Sequence, residues 1–154
     1  MRQKLIIGVI GAGNATAVGL SNAYLVGRLI AEKGAVLVCG GLGGVMESAS
    51  RGCVEAGGDV LGILPGDSSV AANPYVTLPI VTAMGHARNV IIAQTASALI
   101  AIEGEYGTLS EIAISLKLGK PVVQLDSWPQ ISTTLSAKTP QQAVEMIFAA
   151  LQES

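Results

Sequence analysis

Few side chains in this sequence have chemistry to offer, and most of them stand beside glycines. The segment Glu103-Gly104-Glu105-Tyr106-Gly107-Thr108-Leu109-Ser110-Glu111 follows an apolar run and leads into a helical pattern. At a strand-to-helix turn, open backbone amides and the positive end of the helix dipole converge, which suits an anion such as phosphate. Glu111 has two roles open to it. It can face a ligand, or it can form the distal half of a capping box with Thr108, whose S/T-x-x-E spacing it completes.

A second group is Thr82-Ala83-Met84-Gly85-His86-Ala87-Arg88-Asn89. Arg88 stands alone near the start of an apolar helical run. Its guanidinium suits a phosphate or carboxylate fork, or else a surface or intersubunit ion pair. His86 is either a neighbour of that group or a solvated bystander.

Two further loops are glycine-built. Gly40, Gly41, Gly43 and Gly44 occupy four of five consecutive positions, more than a simple turn needs. They are expected at a ligand, with a tight structural turn as the alternative. No Gly-Lys-Ser/Thr follows, so this is not a Walker loop. Gly8-Val9-Ile10-Gly11-Ala12-Gly13 offers amides of Gly11 and Gly13 to a phosphate, or forms a plain turn. The dinucleotide fingerprint needs a third glycine where Thr16 stands and an acid where Cys39-Gly40 stands, so NAD and FAD are disfavoured.

The elements that must position these loops alternate in type. Lys4 to Ile10, Ala35 to Cys39, Asp59 to Leu64, Ala98 to Glu103 and Pro121 to Asp126 read as buried strands, and Tyr75 to Val81 as a short strand or extended segment. Helical spacing covers Val18 to Ile30 (stopped by Gly34), Val45 to Ala56, Met84 to Thr95 and Leu109 to Leu118. A last helix opens at Thr139-Pro140-Gln141-Gln142, with Thr as cap and Pro in the first turn. Asp67 to Pro74 reads as a mobile loop. Short apolar strands alternating with helices imply an α/β domain of Rossmann type, its mainly parallel sheet covered on both faces. Each glycine cluster follows a strand, where ligands bind in such sheets.

Composition narrows the function classes. The 154 residues suit one domain, 1–154. Charged residues make up 13%, against about a quarter in ordinary domains, so some surface is expected to be hidden in a homo-oligomer, dimer or tetramer. The net charge is −2, no basic run is present and aromatics are 3%, which disfavours nucleic acid. Cys39, Cys53 and His86 cannot make a Cys/His zinc site in one chain, so no metal is expected. The two cysteines read as reduced thiols. No signal peptide and no membrane-length apolar run is read, so a cytoplasmic protein is expected.

Taken in order, Gly40-Gly41-x-x-Gly44-Val45-Met46, Met84-x-x-x-Arg88-Asn89 and Gly104-x-x-Gly107-Thr108-x-x-Glu111 resemble the LOG family and its sister group, the molybdenum cofactor carrier proteins. Both lie in the Rossmann-like SLOG superfamily, which also includes the DNA-processing protein DprA. The resemblance spans roughly Lys4 to Val123. LOG enzymes cleave the N-glycosidic bond of cytokinin riboside 5′-monophosphates, releasing free base and ribose 5-phosphate. The resemblance implies Arg88 and Glu111 in the catalytic positions, with Gly107 and Thr108 on the phosphate and Met84 and Asn89 near the ligand. In that chemistry a fixed carboxylate stabilises positive charge on the ribose and orients water.

The LOG pattern is PGGxGTxxE. Here Glu103 replaces the Pro and Glu105 the second Gly, and the segment looks more like the cofactor-carrier side of the superfamily. A carboxylate at 105 lying about 4 Å from a phosphate costs roughly 1–4 kcal/mol, so it weakens phosphate binding unless it turns away. The expected function is therefore binding of a small phosphorylated ligand, either an AMP-like nucleotide or the pterin of the molybdenum cofactor, with no further cofactor required. The alternative is a LOG-like phosphoribohydrolase.

Overall fold

The protein is described from a computed structural model covering residues 2–153. Met1 and Ser154, the outermost residues of the expected 1–154 domain, lie outside the described residues.

The strands are β1 (Ile6–Gly11), β2 (Val36–Cys39), β3 (Val60–Leu64), β4 (Leu78–Val81), β5 (Ala98–Ile102), β6 (Val122–Leu125) and β7 (Leu135–Ser136). The helices are α1 (Ala17–Glu32), α2 (Val45–Glu55), α3 (Arg88–Thr95), α4 (Tyr106–Lys117) and α5 (Pro140–Gln152). The sheet runs β4-β3-β2-β1-β5-β6-β7, and every pairing is parallel. This is the expected α/β architecture.

Period-two alternation divides the core into two layers. From β1, Ile7 and Val9 join one cluster and Ile10 the other. From β5, Ala98, Ile100 and Ile102 join the first, and Leu99 and Ala101 the second. The first layer packs under α1, α2 and α5 through Val26, Ala49 and Ile147. The second lies under α3 and α4 through Ile92 and Ile112. Strands apolar on both faces are thus the direct reason for helices on both sides.

Strand order reverses at β1, which pairs with β2 on one side and β5 on the other. That reversal opens a crevice at the carboxyl ends of β1 and β5. The loops after β1, β2 and β5 meet there.

Three local expectations change, and one element was not foreseen. Helix α4 begins at Tyr106 rather than Leu109, with Glu105 at its cap position. Thr108 therefore sits inside the first turn, and the Thr108/Glu111 capping box does not form. The run from Met84 to Thr95 divides into a 3-10 turn, Gly85–Ala87, and α3 proper. The loop from Asp67 to Pro74 contains a 3-10 turn, Ser69–Ala71, and is pinned by buried Asn73. The Asn73 amide donates to Gly41 O at 2.8 Å, and its side-chain Nδ2 to Leu42 O at 3.0 Å. Strand β7 was not legible, because two residues carry no periodicity.

Candidate ligand-binding site

Three helix N-termini face the crevice, and their backbone partners differ. At α2, the Val45 amide donates to Ala12 O at 2.9 Å. This contact draws the first two glycine loops together. Gly44 has φ +67°, and a Cβ there would lie 2.3 Å from Ala12 O, so its glycine is needed for backbone shape and close packing. At α1, Thr16 is the cap; its hydroxyl accepts from Gly19 N at 3.0 Å. The Glu103 carboxylate takes the Thr16 amide at 3.0 Å and its hydroxyl at 2.6 Å. The protein's own anion thus occupies that helix end.

Helix α4 is different. Its first amide to find a backbone acceptor is that of Leu109, bonded to Glu105 O at 3.0 Å. The amides of Tyr106, Gly107 and Thr108 make no hydrogen bond among the described residues. Gly104, at φ +100°, makes this turn possible; a Cβ there would lie 2.2 Å from Thr108 Oγ1. Three open amides at the positive end of a twelve-residue helix form an anion-binding surface.

Beside these amides lies a pit of about 150 Å³, lined by Gly40, Met46, His86, Arg88, Asn89 and Glu111 among others. It shares Gly11 and Gly107 with an open cleft of about 630 Å³, whose other walls include Gly13, Asn14, Glu103 and Glu105.

Arg88 is buried, and backbone holds it in place. Its Nε donates to Ile63 O at 2.8 Å and its Nη2 to Gly40 O at 3.4 Å, while Nη1 donates to Asn89 Oδ1. Asn89 Nδ2 in turn donates to Ser110 Oγ at 3.2 Å, and Ser110 Oγ to Gly107 O at 2.6 Å. A chain of hydrogen bonds therefore runs from the end of β3 to the first turn of α4.

Glu111 shares the pit with Arg88 but makes no ion pair with it within 4.0 Å. Among the described residues the only ion pairs within 4.0 Å are Arg28–Glu32 and Arg51–Glu55. No hydrogen bond reaches the Glu111 carboxyl among them. Burial pushes its pKa from 4.5 up to about 8, with Arg88 pulling the other way. At neutral pH the carboxyl is thus mainly protonated. Burial also lowers the Arg88 pKa, against opposing pulls from Glu111 and Cys39. With Arg88 charged and Glu111 neutral, the pit is electropositive at pH 7.

Of the residues singled out in the sequence, Gly11, Gly13, Gly40, Arg88, Asn89, Gly104, Gly107, Thr108 and Glu111 line these two connected spaces. Gly41, Gly43, Gly44 and Met84 do not. Gly41 packs against Leu64, Gly43 and Met84 are exposed, and Gly44 packs on the first loop. Glu105 lies on the cleft wall, and its side chain makes no hydrogen bond among the described residues. Met46, which closes the second glycine motif, lines the pit, whereas Asn14 is a cleft residue that no motif marks. Cys39 and Cys53 are buried free thiols. Among the described residues no group of three or more His, Cys, Asp or Glu could hold a metal. No helix there is long and apolar enough to cross a membrane.

The model of the SLOG cluster4 family matches residues 4–153. A protein from Archaeoglobus fulgidus is 50% identical over 138 residues, which are 90% of this chain and 91% of that one. The molybdenum cofactor binding protein from Rippkaea orientalis superposes with a TM-score of 0.93 at 38% identity, covering 98% of this chain and 99% of the other. The molybdenum cofactor carrier protein from Chlamydomonas reinhardtii does so with a TM-score of 0.86 at 34% identity, covering 97% and 99%.

Proposed function

This chain belongs to the SLOG cluster4 family, and on that footing we propose that it binds a small phosphorylated heterocycle, a nucleotide or the pterin of the molybdenum cofactor, without cleaving it. The observation that carries this reading is the set of three open amides at the α4 N-terminus beside buried Arg88 and buried Glu111. Together they favour a phosphate. The amides of Tyr106, Gly107 and Thr108 donate to its oxygens, and the helix dipole and Arg88 supply positive potential. A protonated Glu111 adds a donor rather than a competing charge. The two cofactor-binding proteins of the same fold support a pterin phosphate as cargo.

A phosphoribohydrolase would need Glu111 ionised to stabilise positive charge on the ribose. Burial works against that, and no observation favours this reading. We propose further that the protein is a cytoplasmic dimer or tetramer and that nucleic acid is not its ligand. Leu78, Ile80 and Val81 are exposed along edge strand β4, which supports assembly, and the net charge of −2 supports a small ligand. Light scattering gives the mass of the assembly.

The functional test mixes protein with AMP and with an N6-substituted adenosine monophosphate. Chromatography reads free base, and thermal shift reads binding. Raised melting temperature without base release is the expected result. Base release that vanishes in Glu111→Gln would establish the hydrolase instead.

A further inference from the structure

The chain has one Trp and three Tyr, and two of these four side chains stand together at the mouth of the cleft. The Tyr106 and Trp128 ring centroids are 6.2 Å apart, with planes tilted by 32°. Between them and the anion-binding turn lies a shallow space of about 340 Å³, lined by Gly104, Glu105, Tyr106 and Trp128. Gly104 and Glu105 also line the open cleft, so the two spaces adjoin.

Both residues stand next to the open amides, and Trp128 is tied in place. Tyr106 is the first residue of α4, directly before Gly107, and is 81% exposed. Trp128 belongs to the loop after β6, and its Nε1 donates to Glu105 O at 3.2 Å. The same loop is tied to β6 by Gln124, whose Nε2 donates to Trp128 O at 2.7 Å. Tyr106, an exposed aromatic at a helix start, contributes little to the core, whereas Trp128 is half-buried and packs against the layer under α3 and α4, which anchors its ring.

We propose that Tyr106 and Trp128 form a stacking shelf for the planar heterocycle of the ligand whose phosphate sits on the α4 amides. This rests on the phosphate-binding reading above. The chemical class is a purine or pterin ring attached to a phosphorylated arm. Trp128 Nε1 is already engaged, so the indole offers a face rather than a donor. The Tyr106 hydroxyl has no hydrogen-bond partner among the described residues, and the Glu105 side chain lines the same space. Recognition there selects planarity over base identity.

Trp128 is the only tryptophan, so intrinsic fluorescence reads this shelf. AMP should quench it saturably, whereas ribose 5-phosphate should raise the melting temperature and displace AMP without quenching. Tyr106→Ala should weaken AMP about tenfold or more and leave ribose 5-phosphate binding unchanged. Tyr106→Phe, which keeps the ring, should retain most AMP affinity. Equal loss for both ligands, no loss for either, or AMP binding that leaves Trp128 fluorescence untouched would overturn the shelf while leaving the phosphate site standing. If neither ribose 5-phosphate nor AMP binds, the phosphate reading falls and takes the shelf with it. Salt-sensitive binding of oligothymidylate that depends on Tyr106, with AMP indifferent to it, would also overturn the proposal and assign the shelf to single-stranded nucleic acid. A change of assembly mass in Tyr106→Ala with ligand affinity unaltered would reassign it to a subunit contact.

Discussion

The Glu103 carboxylate grips Thr16 twice, accepting from its amide at 3.0 Å and from its hydroxyl at 2.6 Å across 87 residues of sequence. In a Rossmann-type crevice the end of the first helix is the ordinary seat of a pyrophosphate. Here a side chain of the protein fills it. A substituent on Gly19 would also collide with that carboxylate, at 2.4 Å. The arrangement directs a ligand's phosphate to α4 and disfavours ligands that need both helix ends.

Glu103→Ala is therefore expected to have two effects. Loss of the contact at the α1 end should lower stability by about 1–2 kcal/mol, read as a shift in the urea midpoint. The vacated Thr16 amide and hydroxyl should then donate to an anion, so ADP should raise the variant's melting temperature more than it raises that of the parent. An equal ADP response in both proteins would show that Glu103 does not decide which helix end takes the phosphate.

Arg88 supports both structure and ligand. Arg88→Met should leave Ile63 O, Gly40 O and Asn89 Oδ1 without their donor. Uncompensated buried acceptors cost about 1–3 kcal/mol each, so with three of them a loss of at least roughly 3 kcal/mol is expected in chemical denaturation. Inorganic phosphate should also lose its stabilising effect. Arg88→Lys keeps the charge without the fork and should recover phosphate binding in part but not Asn89 and the backbone contacts. Full phosphate binding in Arg88→Met would remove Arg88 from the site.

Much of this was legible in the sequence, for identifiable reasons. The strands carry apolar residues on both faces, as at Ile7, Val9 and Ile10, so parallel order under two helical layers followed from pattern alone. Glycine clusters after strands located the crevice. The start of α4 was misread because Thr108 and Glu111 imitate a capping box, whereas Gly104 at φ +100° turns the chain early enough for Tyr106 to begin the helix. The four glycines of residues 40–44 do not act alike: Gly40 lines the pit, whereas Gly44 serves the packing of two loops. Composition cannot distinguish a glycine facing a ligand from one facing a carbonyl. Nor could local pattern pair Glu103 with Thr16, a contact made only once β5 lies beside β1.

Lys120 closes the far end of α3. Its Nζ donates to Ala93 O and Gln94 O, both at 2.6 Å, where the helix dipole is negative. Lys120→Met keeps most of the stem and removes both donors. It should cost about 1–2 kcal/mol and lower the melting temperature by roughly 2–6 °C. Ligand affinity should hold, since the side chain lies away from the pit. A melting temperature unchanged at low salt would mean that water replaces the ammonium without loss.

Glu111 makes stability depend on pH in an unusual direction. Burial raises its pKa to about 8 in the folded protein, whereas the unfolded chain returns it to about 4.5. The folded state therefore holds the proton more tightly. The stabilisation this gives is fully present below about pH 4.5 and is lost as pH rises to 8, where a buried charge must form. Over that window the loss is on the order of 4 kcal/mol. The parent protein should melt at lower temperature at pH 8.5 than at pH 5.5. Glu111→Gln, which cannot ionise, should flatten the profile and be the more stable form at pH 8.5. Phosphate affinity should follow the same course, falling above pH 8 in the parent as Glu111 gains a charge that repels the ligand, and holding in Glu111→Gln. Parallel melting profiles for the two proteins would show that Glu111 is already ionised at neutral pH, and the carboxylate needed for glycosidic chemistry would then be in place.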